Sequence, residues 1–127
     1  MIQAYLLYFD IEKSKIQADV VRLNDETSDT LEQTLGDALQ SESYEFNDYS
    51  DEITIIVDNR GFEKANNPVF NIVSTYGDVM QLAGRLLFVR NVENEFSTDI
   101  GSIKYEDIFN LRLNLEIKLI GMTKGLN

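Results

Sequence analysis

The run Ile53-Thr54-Ile55-Ile56-Val57 constrains this chain more than any other stretch. Its residues are β-branched and nearly all apolar, as in an internal strand, and it stops at Asp58-Asn59-Arg60-Gly61, which has turn chemistry. Two more apolar runs, Ile2 to Phe9 and Ile16 to Leu23, read as strands. The polar connection Asp10 to Lys15 between them is of hairpin length, so an opening antiparallel hairpin is expected. Asn66-Asn67-Pro68 marks a loop, and Gly84 to Arg90 reads as a further strand leading into a polar stretch through Asn91, Glu93 and Asn94. Near the end, Leu115, Ile117 and Leu119 alternate with Glu116 and Lys118, which predicts a last strand within Leu113 to Ile120 and a frayed tail from Gly121 to Asn127.

Two segments carry helical spacing. Leu31, Leu35, Ala38 and Leu39 predict an amphipathic helix over Thr27 to Gln40, capped by Asn24 or Asp25. Gly36 is expected to weaken it by roughly 1 kcal/mol. Ser102 is expected to cap a second helix beginning near Lys104, with Tyr105, Ile108, Phe109 and Leu111 or Arg112 on successive turns. The order β-β-α-(β)-β-loop-β-α-β has no βαβ repetition, so the expected fold is α+β: one domain, with two helices packed on an antiparallel or mixed sheet.

Composition narrows the chemistry. A chain of 127 residues buries roughly two-thirds of its unfolded surface and folds without staples. It has no Cys and no His, which excludes disulfides, Cys nucleophiles, the Ser-His-Asp arrangement and the usual zinc, haem and iron-sulfur ligand sets. The glycines at 36, 61, 77, 84, 101, 121 and 125 form neither the Walker pattern nor the dinucleotide fingerprint. Asp48-Tyr49-Ser50-Asp51-Glu52 lacks the ligand order of a calcium loop. No cofactor or metal is expected. Met1 to Phe9 is short, has no preceding Lys or Arg and runs into Asp10, unlike a signal peptide, and no run reaches the length of a membrane helix. A cytoplasmic protein without membrane contact is the expectation.

Charge is the most informative pattern. Between Leu23 and Asn59 stand 11 acids and no base: Asp25, Glu26, Asp29, Glu32, Asp37, Glu42, Glu45, Asp48, Asp51, Glu52 and Asp58. The remaining 90 residues carry 11 acids and all 11 bases, so the net charge of −11 belongs to this segment alone. Such segregation favours a basic partner and repels nucleic acid itself. The plainer alternative is a solvated helix face kept for solubility. On helical spacing Asp25, Asp29 and Glu32 fall in one stripe of about 10 Å, with Glu26 and Asp37 beside it, resembling the charge repeat of a phosphate backbone. Tyr44, Phe46 and Tyr49 stand among the acids and match aromatic anchors with a charged rim on a short edge strand, or else cover the core from a loop. Arg60, Arg85, Arg90 and Arg112 are dispersed and read as surface or ion-paired residues, while Asp51 with Asp58 is the carboxylate pair to examine for glycoside hydrolysis.

Ser50 to Gly61, then Asn66-Asn67-Pro68-Val69, Ala83 to Val89, and Ser102 to Ile108 with Glu106 and Asp107, together resemble a family of uncharacterised small domains encoded by phages, plasmids and conjugative elements. The resemblance spans roughly Asp51 to Leu111 and brings no catalytic residues. It implies a mobile-element setting, where small acidic proteins disarm host defence as antirestriction proteins or anti-CRISPR inhibitors. The leading expectation is therefore a non-enzymatic nucleic-acid mimic binding a host nuclease through Asp25, Glu26, Asp29, Glu32, Asp37, Glu42, Tyr44, Glu45, Asp48, Tyr49, Asp51 and Glu52. The alternatives are an accessory protein acting through a homo-oligomer or a strand edge, and a small carboxylate enzyme.

Overall fold

The computed structural model describes residues 1–93 and 98–125. Its elements are β1 (Ile2–Asp10), β2 (Lys15–Leu23), α1 (Ser28–Leu39), β3 (Tyr44–Asp48), β4 (Ile53–Asp58), a 3-10 turn at Gly61–Glu63, β5 (Ala65–Val73), β6 (Val79–Ala83), β7 (Leu86–Glu93), β8 (Thr98–Gly101), α2 (Tyr105–Asn114) and β9 (Glu116–Lys124). Every strand pairing is antiparallel, and the class is α+β as expected. One sheet has the order β2-β1-β7-β4-β3, with β8 also on β7; the other has the order β6-β5-β9.

The position of β4 explains its composition, since all six of its residues are buried. Successive side chains leave a strand on opposite faces. Ile53, Ile55 and Val57 enter a core shared with Phe70 and Ile72 of β5, Leu82 of β6 and Leu111 of α2, whereas Ile56 joins Leu87 and Val89 of β7 and Leu35 and Leu39 of α1. The first sheet is thus a middle layer, with α1 on one face and the second sheet plus α2 on the other. A strand covered on both sides gains by being apolar at nearly every position.

Several local expectations need correction. Helix α1 is capped by Thr27 and not by Asn24 or Asp25. The Thr27 hydroxyl accepts from Thr30 N at 3.1 Å, and the Thr30 hydroxyl accepts from Thr27 N at 3.0 Å, a reciprocal capping box. Asn24 Oδ1 instead accepts from Glu26 N at 2.9 Å, and Asp25 meets the Met1 amino group at 3.0 Å. At the other end Gln40 turns left-handed and Ser41 N donates to Gly36 O at 3.0 Å. A Cβ at Gly36 would lie 2.8 Å from the Ser41 carbonyl oxygen, so this glycine is required by the chain reversal.

Ser102 does not cap α2. Its hydroxyl accepts from Gln3 N at 3.0 Å and ties the connection to β1, while Asp107 Oδ2 accepts from Lys104 N at 2.8 Å and closes the helix start. Asn66-Asn67-Pro68 is no loop: it lies in β5 beside a register shift, with Asn66 left-handed and Asn67 N donating to the Thr123 hydroxyl at 2.9 Å. The predicted frayed tail is paired with β5 as far as Lys124, because β9 starts later and runs longer than expected. Asn91 and Glu93 belong to β7. Asn94 and the tail residues Leu126 and Asn127 lie outside the described residues.

Candidate functional site: an acidic groove beside α1

Helix α1 stays on the first sheet because Leu35 and Leu39 are buried against Leu23, Leu87 and Ile56. Arg85 reinforces that seat. Its Nη1 donates to Ala38 O at 3.2 Å and its guanidinium lies 5.0 Å from the centre of the Tyr8 ring. A cation thus reaches the carbonyl end of a helix whose own last turn has no base.

Beside the first turns of α1 lies an open groove of about 1200 Å³. Cross-strand register places Phe46 opposite Ile56, Asp48 opposite Thr54 and Asn91 opposite Ile100, so these side chains share the face that α1 covers elsewhere. Asp25, Leu31 and Glu32 stand on one side, with Asp51 and Tyr76 also lining the groove. Among its described lining residues are five carboxylates, Asp25, Glu32, Asp48, Asp51 and Asp99, and no Lys or Arg. Polar contacts organise the floor. Thr54 donates its hydroxyl hydrogen to Asn91 Oδ1, and Asn91 Nδ2 donates to Asp51 O at 3.4 Å. Tyr76 donates its phenol hydrogen to Asp51 Oδ1 at 2.6 Å, and this hydrogen bond, with burial and the charges of Asp51 and Asp48, pushes the phenol pKa up to about 12.

A second hollow of about 1040 Å³ lies along Asp29, Glu32, Asp37 and Glu42, with Arg60, Glu63 and Lys64 also lining it. Its bases are occupied: Arg60 pairs with Glu63, and Lys64 with Asp58. Burial pushes the Asp58 carboxyl up, but hydrogen bonds from Lys64 and from Arg60 N outweigh it and hold the group below the usual carboxylate range.

The twelve residues expected to form the site therefore separate. Asp25 and Glu26 precede α1, and only Asp29, Glu32 and Asp37 are on it. Asp25 lines the first groove, Asp29 the second hollow and Glu32 both, so a single continuous stripe is not what the fold builds. Glu42 is in the connection that follows, while Tyr44, Glu45 and Asp48 are on β3, the outer strand of the first sheet. Glu45 points away from the groove, to the face opposite Phe46. Asp51 and Glu52 lie in the turn before β4, where Glu52 reaches Arg90 Nη2 at 3.4 Å.

Tyr49 is no anchor. It is buried, with its ring edge-on to Phe88 at 6.1 Å, so it belongs to the core. Tyr44 is half-buried and meets Phe46 edge-on at 5.9 Å, leaving Phe46 56% exposed. Thr54, Asn91, Asp99 and Ile100 are not legible as site residues, because long-range strand pairing brings them to the groove, and Tyr76, in the connection between β5 and β6, reaches it through its hydrogen bond to Asp51.

The proposed glycosidase pair does not exist. Asp51 precedes β4 and Asp58 is its last residue, which sets them roughly 20 Å apart at the rise of a strand, against the roughly 5–9.5 Å such chemistry needs. Asp58 is moreover engaged by Lys64. Among the described residues no cluster of three or more acidic side chains is arranged to hold a metal ion, and no helix is long and apolar enough to cross a membrane. Compared with known proteins, the chain matches no family model, no curated protein and no solved structure.

Proposed function

We propose that this protein is a non-enzymatic inhibitor encoded by a mobile genetic element, acting in the cytoplasm of a bacterial host. It occupies the basic, nucleic-acid-facing surface of an immune nuclease, a CRISPR effector or a restriction enzyme, and keeps nucleic acid out. The observation that carries this reading is the state of the 11 acids between Leu23 and Asn59. All but Asp58 are exposed, and among the described residues only Asp25, Glu52 and Asp58 of the set make ion pairs. Carboxylates left uncompensated on one segment repel each other and weaken the fold, and a cationic partner relieves that repulsion. Nuclease channels that hold DNA or heteroduplex are lined by such cations.

The test is a quantitative pull-down from host lysate with the wild type and a variant neutralised at Asp25, Asp29, Glu32, Glu45 and Asp48. The expected result is recovery of a nucleic-acid-processing nuclease by the wild type alone, with binding that weakens as salt is raised and competes with DNA. Equal recovery by both proteins would sink the mimic reading.

A second reading has its own support. Among the described residues the outer edge of β2 pairs with no strand over its nine residues, and α2 exposes Tyr105, Phe109 and Leu113 at four-residue spacing. An accessory protein pairing with itself through either feature would give a stable homo-oligomer indifferent to salt, which sedimentation at two ionic strengths distinguishes.

A further inference from the structure

We infer that the groove beside α1 is the docking point on this face, and that it takes an arginine-bearing segment of the partner, with a guanidinium stacked on the Phe46 ring. This inference rests on the basic partner proposed above and deepens it. Phe46 sits on the outer strand of the sheet, 56% exposed, with its orientation set by the edge-on contact to Tyr44. An exposed phenylalanine on an edge strand is an association liability unless something covers it.

The surroundings decide what can cover it. A purely apolar segment would bury Phe46 but strip water from Glu32, Asp48 and Asp51 with nothing in return. A phosphate or an acidic segment is repelled by the same carboxylates. A lysine ammonium satisfies the carboxylates as a compact, strongly hydrated charge and gains little from the ring. A planar guanidinium serves both, with its edge hydrogens on the carboxylates and its face on the ring. At about 1200 Å³ the groove exceeds one side chain, so the occupant is a stretch of several residues. The second hollow is a poorer docking point, because Arg60 and Lys64 line it and repel a guanidinium, and among its described lining residues there is no aromatic ring to stack on.

The experiment titrates two peptides of equal length and charge, alternating Arg-Ala and alternating Lys-Ala, into the intact protein by calorimetry. Wild type is compared with Phe46→Leu, which keeps an apolar side chain at an exposed position, with Asp48→Asn, and with the double variant Asp29→Asn/Asp37→Asn outside the groove. The Arg peptide should bind more tightly than the Lys peptide. Phe46→Leu should weaken the Arg peptide about threefold to tenfold and leave the Lys peptide unchanged. Asp48→Asn should weaken both peptides more than the Asp29/Asp37 variant does. Equal affinity for the two peptides, an unchanged Arg affinity in Phe46→Leu, or no binding of either peptide overturns the inference. The pull-down separates this from the mimic reading. If Phe46→Leu recovers the nuclease as well as wild type while the five-site variant does not, the groove is wrong and the mimic stands. If the peptides behave as expected and no nuclease is recovered, the groove stands and the mimic falls.

Discussion

Arg90 and Asp107 face each other in a two-pronged ion pair, Nε to Oδ2 at 2.6 Å and Nη2 to Oδ1 at 2.7 Å, that fastens α2 to the middle sheet. Asp107 is 8% exposed and also accepts from Lys104 N, so one carboxylate holds both the helix start and its seat. Asp107→Asn should cost about 2–3 kcal/mol, less than the loss of a fully buried partner because Arg90 remains 20% exposed and can rehydrate. Urea unfolding at neutral pH measures it.

The same pair sets a pH dependence. Burial pushes the Asp107 carboxyl up, yet hydrogen bonds from Arg90 and Lys104 N outweigh burial and hold it below the usual 3.8. A depressed folded-state pKa contributes stability that is complete above the unfolded value and is lost as pH falls through the folded one. Urea midpoints of wild type and Asp107→Asn should therefore differ by a constant amount down to about pH 4 and converge below it.

Gly36 gives a prediction of sign. Helix propensity alone says that Gly36→Ala stabilises α1 by roughly 1 kcal/mol. The structure says the reverse, because the new Cβ would meet the Ser41 carbonyl oxygen at 2.8 Å, and that oxygen is backbone. We expect a loss of about 1–2 kcal/mol by thermal or urea unfolding, as for other forced contacts.

Tyr76 reports on the groove directly. Its phenol, pushed up to about 12 chiefly by the hydrogen bond to Asp51, should be among the last tyrosines to ionise in an ultraviolet titration. Asp51→Asn removes the charge and should bring that ionisation back towards 10.0. A filled groove should show up as a changed Tyr76 titration in the presence of the Arg peptide.

Repulsion among the uncompensated carboxylates should make stability rise with salt. Between about 20 mM and 0.3 M NaCl the wild-type Tm is expected to climb by roughly 3 °C or more as screening shortens the reach of each charge. The variant neutralised at Asp25, Asp29, Glu32, Glu45 and Asp48 should show a flatter response.

Much of the fold was legible where burial follows a short period. The strands β1, β2, β4 and β7 and both helices stand where spacing predicts them, within a residue or two at most ends, and Tyr44–Asp48 takes the edge-strand alternative over the loop. The second sheet is mostly hidden from local pattern. Phe70 and Ile72 of β5 do alternate with Asn71, but Asn66-Asn67-Pro68 in front of them carries turn chemistry that serves a register shift instead. Strands β6 and β8 are short and gain their order from β5 and β7, which no local pattern records.

The sequence by itself determined the α+β class, the double-sided burial of Ile53 to Val57 and the gathering of all net charge between Leu23 and Asn59. Only tertiary structure decided the fate of Phe46 and Tyr49, which look alike in sequence and end in opposite environments. Phe46 stays on an open groove, whereas Tyr49 turns inward onto Phe88. It also divided the carboxylates, setting Asp25 and Asp29 in separate hollows and bringing Tyr76 to Asp51 across 25 residues of chain. Periodicity along one element records which of its sides is buried. Which side chains then share a groove follows from sheet order and register, and those are set by contacts far apart in the chain.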